Sequence, residues 1–325
     1  MPENNKSCQQ ERSIRIGTRE SKLALVQAEV VRKALSGKFS HLQIEIVHIT
    51  TSGDKVLDRP IADLGSRGVF VKELEEALLS NRVDLVVHSL KDLPTDLPEG
   101  LVLAAVLDRL DARDVLVSKS KKGLHELPAG SRVATSSRRR SAQLKHLRPD
   151  LKFIDIRGNI PTRLRKHDDG LCEAMVLAAA GLIRLGVQDR ITQYLDYETS
   201  TPAAGQGALA VECRGEDLGV LELAAAIDEG TVRQEITAER AFLEELGGGC
   251  SVPIGVVAET PEPGSLRLLG CVASADGKNL LRSQIAGSSR DATRLGIDLA
   301  NVMLDMGAAD LLEHLKNIPV KISPP

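Results

Sequence analysis

The sequence lacks tryptophan, and aromatic residues make up only 2% of its 325 residues. Proteins that bind single-stranded nucleic acids stack bases on aromatic side chains, so this composition argues against that role. The formal net charge of −3 argues equally against a generally basic surface of the kind that binds duplex DNA. No apolar run reaches the roughly 18 to 20 residues that a membrane-spanning helix needs.

Cysteine and histidine are too few and too widely spaced to suggest a disulfide framework or a metal site. The five cysteines form no C-x-x-C pair, and the seven histidines show no H-E-x-x-H spacing. We therefore expect a reduced compartment and no metal. The polar stretch 1–13 contains no apolar segment typical of a secretory signal, so we expect a cytoplasmic protein.

Short apolar runs alternate with helical patterns, and this rhythm restarts at Arg132. Two successive β-α-β blocks predict two doubly wound α/β domains with mostly parallel sheets. From about Thr231 the pattern changes to helices and short strands, which predicts a small C-terminal α+β domain. We expect the first domain to span 12–108 with 208–225, the second 113–201 and the third 230–320.

The first helix is predicted to start after Thr18 or Ser21, either of which could cap it. Its apolar residues recur at spacings of three and four, which is typical of a helix with one buried face. The predicted buried face consists of Leu23, Val26, Val30 and Ala34.

Positive charge is concentrated in one stretch, 131–165, which has a net charge of +8. Several of its arginines follow predicted strands, and ligands bind at that edge of open α/β sheets. Thr135, Ser136 and Ser137 precede a predicted helix there, and helix N-termini suit anions. Arginine also favours bidentate contact with carboxylate or phosphate. We predict an anion site, and a solvated basic face is the alternative.

Two further motifs could carry chemistry. Lys91-Asp92 follows the predicted strand 83–88, where a carboxylate could stabilise a developing cation or move a proton; a turn residue or helix cap is the alternative. Cys250 follows three glycines, so its thiol is a candidate nucleophile or attachment point, with a structural cysteine as the alternative. Gly205-Gln206-Gly207 precedes a strand instead of joining a strand to a helix, which argues against a dinucleotide site.

Together these motifs resemble the porphobilinogen deaminase (hydroxymethylbilane synthase) family over nearly the whole chain. The matching stretches include IGTRES at 16–21, GVFVKELE at 68–75, HSLKDLP at 88–94, TSSRRR at 135–140, RGN at 157–159, GQG at 205–207 and GGGCSVPIG at 247–255.

The resemblance implies two domains like those of periplasmic binding proteins, with a cleft between them. It also implies a dipyrromethane cofactor on a thioether to Cys250, with Asp92 as the catalytic carboxylate. The implied cofactor contacts are Ser21, Lys91, Thr135, Ser137, Arg139, Arg140, Arg163 and Gln206. The implied substrate contacts are Arg19, Arg157, Arg184 and Phe70. Bacterial members often carry lysine where this chain has Asp63 and Arg67, so Asp63 is given no substrate role.

The family joins four porphobilinogen units, with loss of ammonia, into linear hydroxymethylbilane for tetrapyrrole biosynthesis. By resemblance the chain is a monomeric transferase whose product passes to uroporphyrinogen-III synthase. It is not expected to bind nucleic acid or membrane. A non-catalytic small-anion receptor is the alternative, since two α/β lobes around an arginine-lined cleft would suit one.

Overall fold

The computed structural model describes residues 13–52, 71–248 and 252–316, which form three separate β-sheets. The described strands are β1 (Ser13–Thr18), β2 (Gln43–His48), β3 (Leu85–Ser89), β4 (Leu101–Leu107), β5 (Asp114–Ser118), β6 (Arg132–Ala134), β7 (Lys152–Ile154), β8 (Ala174–Ala178), β9 (Gln193–Tyr194), β10 (Leu209–Arg214), β11 (Ile254–Glu259), β12 (Ser265–Ala273) and β13 (Leu280–Ser288). The described α-helices are α1 (Lys22–Lys38), α2 (Lys72–Leu79), α3 (Arg138–Leu147), α4 (Ile160–Asp168), α5 (Ala179–Arg184), α6 (Leu218–Ala225), α7 (Gly230–Glu245), α8 (Ala292–Asp305) and α9 (Ala308–Lys316).

Two α/β lobes are built on sheets of the same design. The first lobe has strand order β2-β1-β3-β10-β4, and the second has β7-β6-β8-β5-β9. The third sheet, β11-β12-β13, is antiparallel and belongs to a smaller α+β unit with α7 and α8. The predicted fold class, two α/β units followed by a small α+β unit, is confirmed. No helix within the described ranges is both long and apolar enough to cross a membrane.

The expectation of mostly parallel sheets is confirmed: four of the five strands in each sheet run in one direction, and a single strand runs against them. In the first sheet β10 runs antiparallel to both β3 and β4, and in the second β5 runs antiparallel to β8 and β9. The reason is the chain path. β5 and β10 are the strands that enter each lobe directly from the other one. They do so through two crossing segments, 108–113 toward the second lobe and 195–208, the returning crossing segment. Each therefore starts at the edge where the neighbouring parallel strands end.

The predicted buried face of α1 is wrong by one position. The buried residues are Ala24, Gln27, Ala28, Val31 and Leu35, and α1 starts after the N-cap Ser21, whose Oγ accepts a hydrogen bond from Ala24 N. The helix is covered on more than one side, because its first turn also approaches the second lobe. There Leu23 lies close to Gly181 of α5. Leu23 therefore lies toward the second lobe, whereas Val30 and Ala34 are partly buried beside the face that packs on the sheet.

The third unit packs α7 and α8 across one face of its sheet. Its core contains Phe242, Leu268, Leu299 and Met303, all completely buried. Gly296 lets α8 approach α7 closely, because a Cβ at that position would lie 2.3 Å from the carbonyl oxygen of Ala238. This packing fixes α7, which also reaches the first lobe and the crossing segments.

Candidate functional site

The predicted Lys91-Asp92 motif forms a 3₁₀ turn, Leu90–Asp92, directly after β3. Lys91 Nζ donates a hydrogen bond to Gln206 Oε1 at 3.3 Å. Gln206 lies on the returning crossing segment, and its Nε2 donates to Asp114 Oδ1 at 2.8 Å and to the carbonyl of Ala112 at 2.7 Å. This chain of contacts connects the turn of the first lobe to the first strand of the second.

Asp114 is the residue that organises the site, and sequence reasoning missed it. Its carboxylate is completely buried and accepts from Arg139 Nη1 at 2.7 Å, from Ser200 Oγ at 2.7 Å and from Arg140 Nη2 at 2.7 Å. Burial alone would raise the pKa of Asp114, but Arg139 and Arg140 outweigh it and hold that pKa well below its usual range. A charged residue opening the apolar strand DVLVS was the available signal.

The basic motif after β6 forms the first turn of α3, which confirms the helix predicted to follow Thr135, Ser136 and Ser137. Ser137 is its N-cap, and its Oγ accepts from Arg140 N at 3.4 Å. Thr135 Oγ1 accepts from Ser137 N at 3.2 Å. These two hydroxyls therefore fix the start of the helix whose first turn carries Arg139 and Arg140.

A second set of cations surrounds this core. Arg163 Nε donates to the carbonyl of Gly158 at 2.7 Å, and no carboxylate among the described residues forms an ion pair with Arg163 or Arg157. Burial, followed by repulsion from Arg140 and Arg157, lowers the pKa of Arg163 to about 10. Asp92 is exposed and acts in the opposite direction on that pKa. The charges of both lobes therefore meet at the Leu90–Asp92 turn.

The pKa of Lys91 is lowered in the same way. Burial lowers its pKa to about 8, and Arg140 and Arg139 add to the shift, whereas Asp92 and Asp114 oppose it. The cluster of Lys91, Arg139, Arg140, Arg157 and Arg163 thus holds more positive charge than Asp92 and Asp114 balance.

The remaining predicted residues have the following places. Ser21 caps α1, and Arg19 is half-buried directly after β1. Arg184 Nη2 donates to the carbonyls of Asp108 at 2.6 Å and of Gly207 at 2.7 Å, so it joins the two crossing segments. Cys250 and Phe70 lie outside the described residues, as do Asp63 and Arg67.

Helix α7 ties the third unit to this site through Glu239, which sequence reasoning also missed. The buried Glu239 carboxylate accepts from Arg109 Nη2 at 2.6 Å, from Gly205 N at 2.6 Å and from Ala258 N at 2.7 Å. Burial raises the pKa of Glu239, and Arg109 only partly offsets this effect. Both crossing segments are therefore attached to α7 beside Gln206.

This arrangement suits a ligand with several carboxylates. Guanidinium groups bind carboxylates in a planar, bidentate manner, and the surplus of positive charge would compensate for their desolvation. The exposed Asp92 stands at the edge of the cluster, where its charge could stabilise a cation that develops on a bound group.

Comparison with known proteins finds matches to one family over most of the chain. The family described as "Porphobilinogen deaminase, dipyromethane cofactor binding domain" matches residues 14–222, and "Porphobilinogen deaminase, C-terminal domain" matches residues 233–305. The chain is 48% identical to a porphobilinogen deaminase of Syntrophobacter fumaroxidans, covering 94% of this chain and 98% of the relative. It is 49% identical to one from a Roseiflexus species, covering 91% of this chain and 97% of the relative.

Similar solved structures add nothing to the fold assignment. An ancestral cationic amino acid solute-binding protein is 18% identical over 65% of this chain and 86% of its own, with a TM-score of 0.41. The VFT2 domain of Bordetella pertussis BvgS is 15% identical over 66% of this chain and 85% of its own, with a TM-score of 0.40. Scores this low carry no structural argument.

Replacing Asp114 with asparagine tests whether its carboxylate organises the site. Asp114→Asn leaves two buried guanidinium groups without their counter-charge, so we expect the free energy of unfolding in urea to fall by about 3–5 kcal/mol. Asp168→Asn is the matched control, because Asp168 is exposed and pairs with Arg190 at 2.5 Å. The control should cost less than about 1 kcal/mol. Equal losses in the two variants would contradict a special role for Asp114.

The pKa of Lys91 can be measured by its reaction with trace acetic anhydride as a function of pH. In a Cys250→Ser variant, which lacks the expected attachment thiol, the reaction should show a midpoint near pH 8, because burial and Arg140 disfavour the ammonium form. Arg140→Gln should move the midpoint upward by removing that repulsion. A midpoint near the ordinary lysine value of about 10.4 would show that the surplus positive charge does not act on Lys91.

Proposed function

The chain belongs to the porphobilinogen deaminase family, and on that premise we propose that it joins four porphobilinogen units head to tail into linear hydroxymethylbilane. Each condensation transfers a pyrrolylmethyl group to the growing chain with release of ammonia, and one water molecule finally frees the tetrapyrrole and supplies its hydroxymethyl oxygen. This group transfer makes the enzyme a transferase of tetrapyrrole biosynthesis. The observation that best supports this proposal is the cationic cluster organised by Asp114, with Asp92 at its edge.

The substrate explains the surplus of positive charge. Each porphobilinogen carries an acetate and a propionate, so every added unit brings two more carboxylates. A carboxylate that leaves water without a partner costs several kcal/mol, and arginine is the side chain best suited to compensate it. A surface with more cations than carboxylates therefore fits a growing polyacidic chain better than it fits a neutral ligand.

The same residues fit the dipyrromethane cofactor of the family. Burial and mutual repulsion lower the pKa values of Lys91, Arg140 and Arg163, and a bound polyanion would relieve that repulsion. The residues proposed to hold the cofactor are Ser21, Lys91, Thr135, Ser137, Arg139, Arg140, Arg163 and Gln206, with Cys250 as the attachment thiol. When bound, the cofactor supplies a fixed primer, which makes condensation a reaction between groups held on one protein.

Asp92 is the proposed catalytic residue. Its exposed carboxylate can stabilise the positive charge that develops on the substrate pyrrole as ammonia leaves, and it can accept a proton in the same region. Lys91 and Gln206 hold the neighbouring backbone in place. We further propose Arg19, Arg157, Arg184 and Phe70 as substrate contacts, with Arg184 combining this role with its contacts to the crossing segments.

We also propose a cellular location, an oligomeric state and a partner for the enzyme. Cys172, Cys213 and Cys271 are buried free thiols, which supports a reducing location such as the cytoplasm. We propose a monomer whose product passes to uroporphyrinogen-III synthase, without contact with nucleic acid or membrane.

Intact mass and turnover of the purified protein test the proposal together. The mass should exceed the sequence mass by two pyrrole units, Cys250→Ser should abolish the excess, and Cys8→Ser should retain it. Asp92→Asn should keep the excess mass but lose porphobilinogen turnover by about 10²-fold or more, because it removes the stabilising charge.

Two results would overturn this function. A protein at its sequence mass that binds porphobilinogen without turning it over would be a small-anion receptor. Normal turnover by Asp92→Asn would exclude Asp92 as the catalytic carboxylate.

A further inference from the structure

Arg240 of α7 binds the backbone directly after Asp92. Its Nη2 donates to the carbonyl of Pro94 at 2.7 Å and to that of Thr95 at 2.9 Å, and its Nη1 donates to that of Leu93 at 3.3 Å. Three successive carbonyl groups thus share one guanidinium that belongs to the third structural unit.

The segment Leu93–Thr95 is irregular and depends on such contacts for its shape. Pro94 has no backbone N–H to donate, and Leu93 N donates only locally, to the carbonyl of Leu90. The buried Leu93 side chain packs in a cluster that includes Ile236, one turn before Arg240 on α7. The same face of α7 therefore fixes both the side chain and the carbonyl groups of this segment.

The adjacent residue on α7 fixes the other side of the site. Glu239 accepts from Gly205 N, next to Gln206, whose Oε1 accepts from Lys91. One helix thus sets the backbone on both sides of the Lys91–Gln206 contact.

Glu244, Asp96 and Glu212 are the carboxylates whose charges act on Arg240, and burial is the main influence that lowers its pKa.

We propose that Arg240 is a positioning residue that holds the segment after Asp92 and thereby sets the place of the catalytic carboxylate. Arg240 itself touches neither substrate nor cofactor; it acts through Leu93–Thr95. Arg240 therefore couples the third unit to the position of Asp92. The sequence of the same unit also contains Cys250. This inference rests on the proposed catalytic role of Asp92.

Arg233 provides a matched control. It lies on the same helix and also donates to carbonyl groups of the first lobe, those of Ala104 at 2.9 Å and Leu103 at 3.5 Å. These carbonyls belong to β4 and not to the segment that follows Asp92. Arg233→Gln therefore removes a similar contact between α7 and the first lobe without releasing the Asp92 turn.

The test compares Arg240→Gln, Arg240→Lys and Arg233→Gln in the holoenzyme. Arg240→Gln should lower kcat for porphobilinogen about 10- to 100-fold, because small misplacements of a catalytic group have effects of this size. Its KM should stay within about twofold and its intact mass should be unchanged, since the anion site is untouched. Hydrogen exchange of peptides covering 92–97 should become faster. Arg240→Lys should restore part of kcat, and Arg233→Gln should keep kcat within about twofold.

A normal kcat and normal exchange in Arg240→Gln would overturn the inference. Equal losses of kcat in Arg240→Gln and Arg233→Gln would overturn it as well, because they would indicate a general loosening of α7. Failure of the proposed function looks different: the unaltered protein would not turn over porphobilinogen, or Asp92→Asn would be fully active.

Discussion

The buried carboxylate of Asp114 is the constraint on which the rest of the site depends. A charge removed from water is tolerated only when partners satisfy it, and here two guanidinium groups, a hydroxyl and an amide do so. These partners come from α3 and from the segment that returns to the first lobe. Fixing Asp114 therefore fixes the relative positions of Arg139, Arg140 and Gln206 in one step.

Between Asp114 and the Leu90–Asp92 turn, cationic side chains increasingly outnumber carboxylates. Asp114 neutralises only one of the two charges of Arg139 and Arg140, and Arg157, Arg163 and Lys91 add positive charge without an equivalent number of carboxylates. The protein maintains this imbalance through hydrogen bonds to backbone carbonyls and through packing of the lobes. A site of this kind is pre-organised for a polyanion, and the position of Asp92 adds chemistry to binding.

Helix α7 connects the third unit to this site. Glu239 and Arg240 are neighbours in sequence, yet one binds the returning crossing segment and the other binds the backbone after Asp92. Arg184 joins the two crossing segments to each other, and Arg109 joins the segment 108–113 to α7. Relative movement of the three units during chain growth would therefore act directly on the geometry around Asp92.

Local patterns in the sequence predicted most of the framework, and long-range pairings account for most of what was missed. The βα rhythm and the start of α3 near Ser137 could be predicted, because each depends on neighbouring residues. The single antiparallel strand of each five-stranded sheet and the buried face of α1 could not, since both follow from how one lobe meets the other. Asp114 and Glu239 have partners tens of residues away.

A crystal structure of the purified protein would show whether the cationic cluster around Asp114 holds the pyrrole chain. We expect electron density for a chain that continues from Cys250 Sγ, with carboxylates about 3 Å from the guanidinium groups of that cluster and from Lys91. Density lying elsewhere, or an Asp114 carboxylate exposed to solvent and separated from Arg139 and Arg140, would contradict this expectation.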